Sequence, residues 1–101
     1  SEKLIFQMED KMRKRTVQMG RVVITANALD KLNPEDVLRG LCRHAAGDWG
    51  ECCTQDWQDN DEALQSGWRL FSVYRDANAV KFWVITEADR SVTTVLLPED
   101  Y

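Results

Sequence analysis

"LFSVYRDANAVKFWVITEADRSVTTVLL", Leu70 to Leu97, holds three runs rich in β-branched and aromatic residues, separated by the polar stretches DANA and EADR. Runs of this length bounded by turn formers read as β-strands, so an antiparallel three-strand meander is expected here. If Ala77-Asn78 is a two-residue loop, Val73 opposes Phe82, Phe71 opposes Val84 and Arg69 opposes Thr86. On the other side Tyr74 opposes Lys81, Ser72 opposes Trp83 and Leu70 opposes Ile85. A four-residue loop of Glu87 to Arg90 then adds Thr93 and Val95 to the first face, and Val92, Thr94 and Leu96 to the second. The first face, with Phe71, Val73, Phe82, Val84, Val95 and Leu97, is the one expected under helices. The second, with Ser72, Tyr74, Lys81, Trp83 and Thr94, is too apolar for free solvent and too polar for a pure core, so it is the candidate interaction face.

Working back towards the N-terminus, NPEDVLRGLCRHAAG is the clearest helix. Asn33 serves as N-cap, Pro34 opens the first turn, Glu35 and Asp36 favour the positive dipole end, and Gly47 stops it. Gly40 inside it hints at a close backbone approach. A second helix is expected from Thr54, as N-cap, to Ser66-Gly67, and RVVIT (21–25) before both reads as a buried strand followed by a short helical turn. The expected fold is α+β: helices on one face of an antiparallel sheet, in the order β-α-α-β-β-β. Residues 20–101 form the domain. Residues 1–19 read as a variable extension, with Leu4, Ile5, Met8 and Met12 at the spacing of an amphipathic helix.

At 101 residues, one core is the natural outcome. Neither a membrane span nor a signal peptide is legible, so the expected compartment is the cytoplasm. Three cysteines cannot all pair internally. Cys42, His44, Cys52 and Cys53 lack the spacing of a zinc site, and no metal or cofactor is expected. Net charge is -4, which argues against nucleic acid as a partner. The distribution is more telling: no Lys or Arg lies between Arg43 and Arg69, while Asp56, Asp59, Asp61 and Glu62 accumulate. They suggest one acidic face, read either as a solvated helix surface or as a docking patch for a basic partner.

The stretches RHAAGDWGE, LFSVYR and WVITEADRSVTTVLLPEDY resemble a family of small bacterial proteins labelled "plasmid-related", found on plasmids and other mobile elements. The resemblance implies a genomic context and no mechanism. At the level of fold alone the strand order is also similar to RelE and barnase-like ribonucleases. That analogy implies His44 as acid or base, with Arg69 and Arg90 on phosphate. The reading taken forward is a non-enzymatic regulatory or protein-interaction module of a mobile element, self-associating as a homodimer through the second face. The alternatives are a metal-independent ribonuclease and an acidic inhibitor of a host defence complex. An enzyme requires His44, Arg69 and Arg90 to converge on one concave site; an interaction module requires them scattered.

Overall fold

The computed structural model describes residues 17–101, so the expected N-terminal amphipathic helix lies outside the described residues. The elements are β1 (Arg21–Ile24), α1 (Ala26–Lys31), α2 (Pro34–Ala45), α3 (Thr54–Ser66), β2 (Leu70–Arg75), β3 (Lys81–Thr86) and β4 (Val92–Leu96), then a 3₁₀ turn at Pro98–Asp100. The α+β class, the element order and the C-terminal meander are as expected. The sheet runs β1-β4-β3-β2 and is mixed, because β1 joins it parallel to β4. A strand that returns only after three helices and two strands can enter in either direction, and no local turn fixes its sense. β1 therefore occupies an edge and is only half-buried, where a buried strand was expected. No helix among the described residues is long and apolar enough to cross a membrane.

α2 begins as its sequence dictates, with the Asn33 side chain accepting the Glu35 N–H at 2.9 Å. α3 begins with Cys53 at the cap position and no side-chain cap bond, one residue earlier than expected, and ends at left-handed Gly67. Ala28, Leu32 and Val37 of α1 and α2 pack on Tyr74, Phe82, Val84, Val95 and Leu97. Gly40 makes this contact possible: a Cβ there would lie 2.9 Å from the Phe82 ring and 3.1 Å from Tyr74. A smaller second core joins Val17, Trp49, Ala63 and Leu70. Val17 also donates its N–H to Ala45 O at 3.2 Å, so residues assigned to the extension already belong to the fold.

The register of β2 corrects the sequence reading. Val73 faces Trp83 and Tyr74 faces Phe82, one residue away from the expected pairing. The loop has three residues, Ala77-Asn78-Ala79, with Asp76 N–H bonded to Val80 O, Ala79 N–H to Asp76 O, and Ala79 left-handed at φ 63°. A type I turn closed by a left-handed residue is the usual three-residue hairpin, and its odd count turns every β2 side chain to the opposite face. Ser72 and Tyr74 consequently lie under the helices, while Phe71 and Val73 share the other face with Trp83. The expected interaction face is split: Ser72 and Tyr74 are buried on one side, and Lys81, Trp83 and Thr94 lie on the other. β3 and β4 pair Thr86 with Thr93, two residues from expectation, and an even slip leaves their faces as read.

Candidate functional site

His44 sits near the C-terminal end of α2 and is 0% exposed. Its Nδ1 lies 2.6 Å from Ser72 Oγ, and its Nε2 lies 2.8 Å from Thr86 Oγ1. Thr86 Oγ1 is in turn 2.7 Å from Thr93 Oγ1, which donates to Met19 O at 2.6 Å. That last bond fixes the direction of the whole chain, because a carbonyl only accepts and each hydroxyl has one proton to give. Thr93 gives its proton to Met19, so it accepts from Thr86. Thr86 therefore accepts from His44, whose Nε2 carries the proton, and Nδ1 accepts from Ser72. Burial, helped by the positive charge of Arg90, lowers the His44 pKa to about 4. The ring is neutral at pH 7, has both nitrogens occupied, and meets the Trp49 edge at 5.5 Å.

The neighbouring residues of RHAAGDWG alternate between surface and core. Arg43 and Asp48 form a two-pronged pair at 2.8 and 3.2 Å. Their mutual hydrogen bond holds the Asp48 carboxyl below the usual range. The guanidinium also lies 4.8 Å over the Tyr74 ring, whose hydroxyl donates to Asp48 O at 2.6 Å. Trp49 turns inward and donates Nε1–H to Asp61 at 2.9 Å. Gly50 then bridges to Val73, and a Cβ at Gly50 would lie 2.0 Å from Val73 O. The motif ties the end of α2 to the outer edge of β2.

Arg90 serves another end. Its guanidinium donates to Ala63 O, in the last turn of α3, at 3.0 Å and to Trp68 O, just past the helix end, at 2.7 Å. Arg90 is itself left-handed at φ 62°, and Asp89 accepts from Ser91 N–H and Oγ–H at 3.0 and 2.6 Å. The charged EADR turn thus reverses the chain and caps a helix. Arg69 points elsewhere, pairing with Glu87 at 3.6 Å and donating to the Tyr101 hydroxyl at 2.8 Å. Arg69 and Arg90 both reach Glu87, at its carboxylate and its carbonyl, and the charge of Arg90 is felt at His44, but His44 is sealed in the core with both ring nitrogens bonded.

A concavity does open beside Arg69. A groove of about 280 Å³ is lined by Asp56, Asp59, Asn60, Ala63, Trp68, Arg69 and Phe71, between α3 and the start of β2. Asn60 builds its floor: the amide exchanges two bonds with Phe71, donating to its carbonyl at 2.7 Å and accepting its N–H at 2.9 Å. This pins α3 along the strand edge in place of a fifth strand. Trp68 stands at the rim, 55% exposed. Of the four acids expected in one patch, Asp56 and Asp59 line the groove, Asp61 holds Trp49, and Glu62 is exposed on the same helix.

Trp68 and Asn60 were not legible as site residues. The available signal was Gly67, whose left-handed backbone ends α3 and leaves Trp68 in the short link before β2. Trp49 is fully buried, whereas Trp57 and Trp83 are half-buried. Trp83 stacks edge-on between Phe71 at 4.9 Å and Tyr101 at 5.7 Å. Among the described residues no group of three or more His, Cys, Asp or Glu is placed to hold a metal, and all three cysteines are free thiols. Comparisons with known family models, curated proteins and solved structures return no match.

Proposed function

We propose that the chain is a non-enzymatic protein-interaction module of a bacterial mobile element, acting in the cytoplasm, that receives a basic segment of a partner protein in the α3–β2 groove. The observation that carries this reading is Trp68, 55% exposed beside Asp56 and Asp59. A large aromatic left in water next to carboxylates suits an Arg or Lys side chain, which lies over the ring while its charge meets the acids. α3 carries Asp56, Asp59, Asp61 and Glu62 with no basic residue. Two carboxylates, Asp56 and Asp59, line the groove against one guanidinium, Arg69, which is paired with Glu87, so the lining is net negative and attracts cations before contact. The mobile-element context rests on the sequence resemblance.

Catalysis of the ribonuclease type gains no support from the arrangement. His44 has no open nitrogen, and Arg90 is committed to backbone carbonyls of Ala63, Trp68 and Glu87. Titrating ¹⁵N-labelled protein with a short peptide alternating Arg and Gly tests the proposal. Shifts confined to Asp56, Asp59, the Trp68 indole and Arg69, suppressed by added salt, are expected. Shifts spread over the whole surface, or none, would refute it.

A further inference from the structure

At the opposite edge of the sheet, no described strand or helix covers the outer side of β1. Arg21 and Thr25 send their N–H groups to Ser91 O and Val95 O of the neighbouring chain segment at 2.9 and 3.0 Å. Backbone direction alternates along a strand, so the N–H and C=O of Val22 and Ile24 point outward, where no described strand pairs with them. Beside this open edge lies an apolar groove of about 260 Å³, lined among others by Val22, Ile24, Leu29, Leu38 and Leu41. Val22, Leu29 and Leu38 are 46%, 64% and 63% exposed, three of the five large hydrophobic residues that stand out in water among the described residues. An unpaired strand edge flanked by exposed leucines is a template for another strand.

We infer that a second copy of this chain pairs with β1 in antiparallel sense, about a two-fold axis at Val23, and continues the sheet across the dimer. The outward groups set that register. Val22 of one copy opposes Ile24 of the other and each such pair exchanges both of its hydrogen bonds, so every outward group finds a partner. Val23 falls opposite itself at the narrow pair position. The same register sets Arg21 across from Thr25, whose hydroxyl is bonded to the Asp100 carboxylate at 2.6 Å. Arg21 has no ion-pair partner among the described residues, so two complementary pairs form, one on each side of the axis.

The helix layer continues in the same way. α1 and α2 cover the sheet face that carries Val22 and Ile24, so a two-fold brings the Leu29 and Leu38 sides of both copies together above the new strand pair. Charge does not oppose this: around the groove Arg21, Lys31 and Arg39 balance Asp30, Glu35 and Asp36. At the β2 end, by contrast, the acids of α3 would repel a second copy. The self-association expected from the sequence is thus relocated from the split Trp83 face to the β1 edge. Strands in a sheet are roughly 4.8 Å apart, so the two acidic grooves would stand at the far ends of the continuous sheet, roughly 34 Å apart measured between the β2 strands.

Light scattering across a concentration series tests this on the wild type and on two variants at exposed positions, Leu38→Glu and Val22→Lys, with circular dichroism and thermal melts to verify folding. The expected result is a wild-type dimer and, for each variant, a dissociation constant raised about tenfold or more at unchanged fold. A wild type that stays monomeric would overturn the inference and leave the groove to another occupant, such as residues 1–16 or a different protein. A dimer indifferent to both substitutions would overturn it equally, by locating the contact elsewhere.

Discussion

At the scale of single residues, His44 has the clearest consequence. Its folded pKa of about 4 lies below the ordinary value of 6.5. Between those two pH values the unfolded chain binds a proton that the folded chain refuses, so stability is full above 6.5 and falls as pH drops towards 4. The loss approaches about 3 kcal/mol across that window. Urea midpoints measured from pH 7 to pH 4.5 should fall steadily, and long-range ¹H–¹⁵N spectra at pH 7 should show a neutral ring protonated on Nε2. A flat profile, or a ring titrating near 6.5, would contradict the directed hydroxyl chain. The paired left-handed residues give a contrast. Ala79 has φ 63° and a side chain with no role in a site, whereas Arg90, at φ 62°, caps α3. Ala79→Gly should therefore stabilise by up to about 1 kcal/mol, through relief of backbone strain. Arg90→Gly should destabilise by about 1 to 3 kcal/mol, because charged hydrogen bonds to backbone carbonyls are lost. Thermal melts of the two variants should move in opposite directions.

At the scale of elements, the β2–β3 turn and the start of α2 hold each other. Asp76 accepts from Asn33 N–H at 3.2 Å with one oxygen, and from Asn78 and Val80 N–H with the other. Asp36 returns the contact by accepting Ala77 N–H at 2.8 Å. Asp76 is 6% exposed, so Asp76→Ala would orphan several N–H groups at once, at a cost of about 2 to 3 kcal/mol. Asp76→Asn, which keeps an acceptor, should recover part of that in the same urea titration. This turn also shows where the sequence was readable and where it was not. The existence and order of the strands follow from β-branched runs and turn residues, and the faces of β3 and β4 survive because their register differs by an even step. β2 was misread because DANAV does not declare which alanine turns left-handed: a Gly at position 79 would have announced the three-residue loop, and Ala conceals it. The parallel entry of β1 was illegible for a different reason, since its partner lies some seventy positions away and no turn chemistry links them.

At the scale of the whole molecule, the two sheet edges are treated differently. The β2 edge is closed by Gly50 and by the Asn60 amide, and the groove above it is acidic with Trp68 at its rim. The β1 edge is left open by the described residues and is flanked by an apolar groove. A span without Lys or Arg is visible in any order of folding, and it leaves Asp56, Asp59, Asp61 and Glu62 exposed on α3. Residue types could not reveal that Asp56 and Asp59 share a concavity with Trp68, since that depends on α3 lying along a strand edge. A surface of this kind makes a modest affinity. Exposed ion pairs contribute about 0.2 to 1 kcal/mol each and a cation over an indole about 0.5 to 1 kcal/mol, so a peptide engaging both carboxylates and the indole gains at most about 3 kcal/mol and binds with a Kd in the millimolar range. The most direct test is isothermal titration of the Arg–Gly peptide into wild type, Trp68→Ala and the Asp56→Asn/Asp59→Asn double variant, at low and at physiological salt. Loss of Trp68 should weaken binding about 2–5-fold, loss of the two carboxylates should weaken it further, and the wild-type affinity should fall with salt. Equal binding by all three proteins would contradict it and remove the groove as the seat of function.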